Sequence, residues 1–238
     1  MTEDIRQEYS EPRSGASEPE RPVFYAIDSG SPVSSVALGS GTRTRMRAFR
    51  VGDSSGRLLS DLDGLLAEAG SSIGALGGLV ALRGPGSFTG LRVGLATILG
   101  LHQALQLPAT AVTTFEALAW QARRRHGPSD RPIVAAVDAL REECFVQVFD
   151  GRSLEPLDEP EVWSNAALAG FERTRIAGFG LDRLKEHLGD SPSVPELFEA
   201  EALAADLIAI ASADGFAWNP ETLTEPLYLR PPAVTRGG

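Results

Sequence analysis

One cysteine, Cys144, occurs in 238 residues. An intrachain disulfide and a structural zinc site built on cysteines are thereby excluded. Lysine is equally scarce: Lys185 is the only one among 22 basic residues. The three histidines, His102, His126 and His187, are scattered. No apolar run approaches the roughly 18 residues that a membrane helix needs. An excess of positive charge is also missing. The net charge is −10, so the average field repels nucleic acid, and any RNA contact needs a local basic patch or a basic partner. Residues 1–21 lack the apolar core of a signal peptide and are rich in Ser, Glu and Pro, which predicts a disordered acidic tail. These absences together predict a cytoplasmic protein.

Hydrophobic residues make up 42% of the chain, enough for a sizeable core. Val23 to Ile27 is β-rich and ends in Asp28, and a second β-like run, VSSVAL, follows the turn SGSP. Arg43, Arg45 and Arg47 alternate, which predicts a third strand with a solvated face that protects a sheet edge. Leu58, Leu59, Leu62, Leu65 and Leu66 fall at helical spacing within 55–69. GGLVALR reads as a buried strand, SFTGLRVGLATILGLHQAL as a second helix, PATAVT as a strand and TFEALAWQARRR as a third helix stopped by Gly127 and Pro128. From residue 133 the opening pattern returns: an apolar strand ends in Asp138, and a strand from Cys144 to Phe149 runs back. The two aspartates lie 110 residues apart, which predicts a duplicated α/β design with an N-terminal lobe over 22–128 and a C-terminal lobe over 129–238.

The stretch GPGSFTGLRVGLATILG, 84–100, admits several readings. A P-loop requires Lys-Ser or Lys-Thr after its last glycine, and the sole lysine is about a hundred residues away. A dinucleotide fingerprint requires a third glycine where Thr89 stands. A nucleophilic Ser87 requires a base, and His102 would sit roughly 22 Å along the same helix. Ser87 reads as an N-cap. Gly86, Gly90 and Gly94 share one helical face, at a cost of about 1 kcal/mol per interior glycine. Something approaches that face closely, either the chain's own sheet or another subunit.

LRGPGSFTGLRVGLATILGLHQALQLPATAVTTFEALA resembles the signature block of the TsaB (YeaZ) family of bacterial proteins, which serve threonylcarbamoyladenosine formation in tRNA. AIDSGSPVSSVAL resembles its opening hairpin, VAAVDALREECFVQVF its second Asp hairpin and EPLYLR its C-terminal motif. The resemblance implies an α/β chain of the actin/hexokinase/Hsp70-like (ASKHA) fold, with two lobes of duplicated ribonuclease-H-like design. It implies a non-catalytic subunit that binds a TsaD-type catalytic paralogue, with a TsaE-type ATPase in the complex and a homodimer when alone. tRNA contact would come only through the complex. The implied interface comprises Leu58, Leu59, Leu62, Leu65, Leu66, Gly86, Ser87, Phe88, Gly90, Leu91, Gly94, Leu95 and Ile98. Thr114 and Leu118 stand where TsaD carries its metal-binding His-x-x-x-His, so no metal is expected. Asp28, Gly30, Ser31 and Asp138 are either vestigial nucleotide-loop residues or turn caps. No nucleotide is expected to bind tightly to this subunit, with ATP or ADP at the level of the complex. The sequence departs from the family in DSGSP at the first turn and in Ser54-Ser55, where many members have a His-Ser pair. The rival reading is an independent ATPase or a glycoprotease-like peptidase. Arg123, Arg124, Arg125 and His126 are read as cations at a helix C-terminus or as phosphate contacts, and Cys144 as a buried hydrophobe.

Overall fold

Backbone runs rich in Val, Ile, Ala and Leu bury on both faces in this molecule, because helices cover both sides of each sheet. The computed structural model describes residues 22–41, 43–50, 56–188 and 193–230. The acidic tail and the Ser54-Ser55 pair lie outside the described residues. The first sheet comprises β1 (Val23–Asp28), β2 (Val33–Ser40), β3 (Arg43–Arg50), β4 (Leu76–Leu82) and β5 (Ala109–Val112), in the order β3-β2-β1-β4-β5. β1 is antiparallel to β2 and β2 to β3, whereas β1, β4 and β5 are parallel neighbours. The second sheet comprises β6 (Ile133–Leu140), β7 (Glu143–Phe149), β8 (Glu161–Ser164), β9 (Arg175–Gly178) and β10 (Glu196–Glu199), in the order β10-β9-β6-β7-β8. Adding five to each strand number of the first sheet reproduces the second, with the same strand directions. This is the duplicated α/β design expected from the Asp28 and Asp138 hairpins, and the topology of the actin/hexokinase-like fold.

Among the described residues, five α-helices connect and cover the sheets: α1 (Leu58–Glu68), α2 (Phe88–Leu105), α3 (Thr114–His126), α4 (Asn165–Ala169) and α5 (Ala204–Ala211). Local chemistry fixes their ends. Ser87 accepts the Gly90 N–H to cap α2. Thr113 and Glu116 form a reciprocal capping box that starts α3, and Gly127 at φ 77° ends it. The segment LDRLKEHL forms a 3₁₀ turn over Leu181–His187.

Among the described residues, three apolar clusters hold the layers. On the outer face of the first sheet, Tyr25, Ile27, Leu79, Leu62, Leu65 and Ile98 pack together beneath α1 and α2. On its inner face, Val80 and Ala37 meet α3 (Phe115, Leu118) and α5 (Leu203, Leu207), which in turn meet Ile133 and Phe149 of the second sheet. The far side of the second sheet packs Val134, Val146 and Leu168 with the 3₁₀ turn through Leu181 and Leu184. α5 is thus a segment of the second half of the chain that closes the first sheet.

The cationic end of α3 fastens this arrangement. Arg124 pairs with buried Asp206 of α5 at 3.0 Å, Arg125 pairs with Glu201 at 2.5 Å and Arg123 donates to the Arg152 carbonyl. Of the β3 arginines, Arg43 and Arg45 are exposed on the sheet edge. Arg47 departs from the expected solvated face: it is half-buried and bridges Asp61 (2.9 Å) and Glu68 (2.6 Å) of α1.

Candidate functional site

Asp28 ends β1 and is fully buried. Its Oδ1 accepts the N–H groups of Gly30 (3.1 Å) and Ser31 (3.0 Å), so the carboxylate caps its own turn. Its Oδ2 has no hydrogen-bond partner. Burial raises the pKa from 3.8 to about 6, against the lowering effects of the Ser31 hydroxyl and of the Ser31, Gly30 and Leu203 amides. Leu203 is the N-cap of α5, so that helix from the second half of the chain begins against this carboxylate. Asp138, its counterpart in β6, is exposed and different in chemistry. It accepts the Leu140 N–H at 2.9 Å and pairs with Arg183 at 2.5 Å.

Between the two hairpins lies a cavity of about 360 Å³, lined by Gly30, Ser31, Pro32, Gly86, Ser87, Asp138, Phe179 and Arg183 among others. Three of the four vestigial-loop candidates, Gly30, Ser31 and Asp138, therefore meet at one opening, with Asp28 beneath it. Several backbone donors around it are engaged by the chain itself. Besides the two that Asp28 takes, the Gly180 and Leu181 N–H groups donate to the Glu199 carboxylate (2.5 and 2.9 Å), and the Ser87 N–H to the Gly30 carbonyl (2.8 Å). Sequence reasoning missed Glu199 and Arg183. Neither carries a local signal, since Glu199 reaches a turn 19 residues earlier.

Thr114 and Leu118, which stand at the positions of TsaD's His-x-x-x-His, do not fit a metal. Thr114 is buried and donates its hydroxyl to the Pro85 carbonyl at 2.7 Å, and Leu118 is fully buried in the central cluster. Among the described residues, no group of three or more His, Cys, Asp and Glu is placed to hold a metal ion. Cys144 is buried and its Sγ donates to Asn165 Oδ1. Burial pushes its thiol pKa up, which makes it a poor nucleophile.

The helical stripe is placed differently from the expected interface. Leu58, Leu62, Leu65 and Leu66 are all at most 5% exposed and face the chain's own first sheet, as do Leu95 and Ile98 of α2. Leu91 is likewise buried, in the central cluster. The glycine face is filled as well. A Cβ on Gly90 would lie 1.8 Å from the Ser29 carbonyl oxygen, one on Gly94 2.4 Å from Ser29 Oγ and one on Gly86 2.5 Å from the Gly30 carbonyl oxygen. The close approach that the glycines allow is thus to the β1–β2 turn of the same chain, and the Ser29 hydroxyl donates to the Gly90 carbonyl at 2.7 Å. The buried leucines, Ile98, Gly90 and Gly94 are not available to a partner, because an amphipathic helix turns its most apolar stripe to its own core first. Of the expected set, Leu59 (54% exposed) and Gly86 remain open, and Ser87 and Phe88 are half-buried. The opposite side of the two helices presents Leu59, Asp63 and Ala67 from α1, and Arg92, Ala96 and Gly100 from α2. No described helix is long and apolar enough to cross a membrane.

Comparison with known proteins adds a family to this geometry. A family model described as TsaD: tRNA N6-adenosine threonylcarbamoyltransferase matches residues 53–184. The tRNA threonylcarbamoyladenosine biosynthesis protein TsaB of Escherichia coli (strain K12) is 30% identical over 148 residues, 58% of this chain and 63% of that protein. The TsaB protein of Haemophilus influenzae (strain ATCC 51907 / DSM 11121 / KW20 / Rd) is 33% identical over 124 residues, 52% of each chain. The matches therefore span less than two thirds of either curated relative. Among solved structures, YeaZ from Pseudomonas aeruginosa superposes with a TM-score of 0.71 at 28% identity, covering 88% of this chain and 100% of that one.

Proposed function

We infer the role of this chain from one premise: it belongs to the TsaD family of proteins and, within it, to the TsaB (YeaZ) group. Its function is in threonylcarbamoyladenosine biosynthesis on tRNA, as an accessory subunit that docks a TsaD-type catalytic partner and performs no transfer itself. The observation that carries this reading is the retention of a duplicated fold without the chemistry. Thr114 is tied to Pro85, Leu118 is core, and the N–H groups of Gly30, Ser31, Gly180 and Leu181 at the cleft are taken by Asp28 and Glu199. For the same reason no nucleotide is held tightly by this subunit. ATP or ADP enters through the assembled complex with a TsaE-type ATPase.

The docking surface in this reading is the outer side of α1 and α2, where Leu59, Ala67, Ala96 and Gly100 are exposed together with the charged Asp63 and Arg92. A second copy of the chain uses the same face when the partner is absent. Leu59→Glu with Ala96→Arg places two desolvated charges in that face. The double variant should fold normally by circular dichroism and lose at least a hundredfold in affinity for the catalytic subunit, measured by titration calorimetry. Unchanged affinity rejects the surface. Reconstitution tests the role itself: the chain alone should leave tRNA unmodified and become required once the catalytic subunit and the ATPase are present.

A further inference from the structure

We propose that residues 225–230 form an interlobe clasp, which couples the first turn of α2 to the β6–β7 turn so that docking on α2 is felt in the second lobe. The coupling to docking rests on the α2 surface proposed above; the clasp itself does not. The segment is anchored at both ends and in the middle. The Leu227 N–H donates to the Arg83 carbonyl at 2.7 Å, just beyond the end of β4. The Tyr228 ring packs on Phe88 of α2 at a centroid distance of 4.9 Å, and its hydroxyl accepts from Arg92 Nε at 3.2 Å. Arg230 then crosses to the second lobe, where it donates to the Ala139 carbonyl at 3.3 Å, pairs with Glu143 and lies over the Phe145 ring.

The receiving turn is under strain. Leu140, Arg141 and Glu142 all adopt left-handed backbone, with φ of 63°, 59° and 61°, and none is glycine. Such a turn persists only where its surroundings over-determine it. Here the surroundings include Asp138, which takes the Leu140 N–H, Asn165, whose N–H donates to the Glu142 carbonyl at 2.9 Å, and Arg230. Arg92 is the adjustable member at the other end. Its side chain is exposed on α2, its guanidinium stacks 3.8 Å from the Phe88 centroid, and several of its N–H donors are left for an acidic or carbonyl group of a partner. Engaging them changes the hold on Tyr228. Only Leu229 stands between Tyr228 and Arg230, so the chain between them can span at most about 7 Å, too short a tether to absorb the displacement.

Hydrogen exchange on the full chain tests the clasp without a partner. In Arg230→Gln the amides of Leu227 and Asn165 should exchange about fivefold to tenfold faster, with those of α1 and β4 unchanged. Unchanged rates at both amides overturn the clasp, and so does uniform acceleration across the chain. Tyr228→Phe, which keeps the ring, should accelerate Asn165 by a smaller factor, and no effect there overturns transmission along the segment. Adding the TsaD-type subunit should slow the Asn165 amide in the unaltered chain and not in Tyr228→Phe. Slowing on α2 with none at Asn165 overturns the coupling. No slowing on α2 rejects the docking surface and the coupling to it, while the partner-free measurement still decides the clasp.

Discussion

Asp28 is the residue where physical chemistry speaks most directly. Its buried carboxyl has a pKa raised to about 6, so the folded state holds a proton that the unfolded chain releases near 3.8. The group therefore favours folding most below about pH 4, and that contribution is lost as pH rises through 6. Asparagine retains the Oδ1 acceptor for Gly30 and Ser31 and cannot ionise. The stability difference between the parent and Asp28→Asn should move by roughly 2–3 kcal/mol in favour of the variant between pH 3.5 and 7. Urea unfolding at several pH values reads this, and parallel profiles for the two proteins would refute the assignment. The aspartate itself is visible in the sequence at a strand end. Its burial is not, because the lid over it is α5, nearly two hundred residues further along the chain.

At the scale of elements, α1 owes its seat to one side chain as much as to its leucines. Arg47 reaches from β3 to Asp61 and Glu68, with its guanidinium lying over Gly64, where a Cβ would come within 2.5 Å of it. Removing it leaves buried Asp61 with only the Arg57 contact at 3.4 Å. Arg47→Met should cost about 1–2 kcal/mol, seen as a lower urea midpoint and faster exchange within α1; an unchanged midpoint would show that the bridge contributes nothing. The long elements were legible because period and capping agree: α2 behind Ser87, α3 between Thr113 and Gly127, and the strands ending in Asp28 and Asp138. The four-residue strands β8 and β10 were not, since four residues carry too little alternation to stand out. The leucine and glycine stripes are assigned from the sequence to a partner, and that assignment does not match their packing in the chain's own core. A stripe does not say what it contacts, and here the β1–β2 turn and the first sheet claim it.

For the whole molecule, the decisive fact is that the inner cluster belongs to neither lobe alone. Leu207 of α5 is fully buried among residues of both sheets. Leu207→Ala should cost about 2–4 kcal/mol, and the most protected amides of β1–β2 and of β6–β7 should lose protection by the same factor. Loss confined to the second sheet would mean that the halves unfold separately. The repeat of strand order was foreseeable from two aspartates 110 residues apart, but the exchange of helices across the repeat was not. Nothing in the local pattern of AADLIAIA names the sheet it will cover.

That exchange has a consequence for how the chain is made. On a ribosome, the five strands of the first sheet emerge early, yet the underside carrying Phe24, Ala26 and Ala37 lacks its α5 cover until residue 211 has been synthesised. During that interval the nascent half-protein displays an oily surface to every other chain in the cell, and a holding chaperone is the natural guard of it.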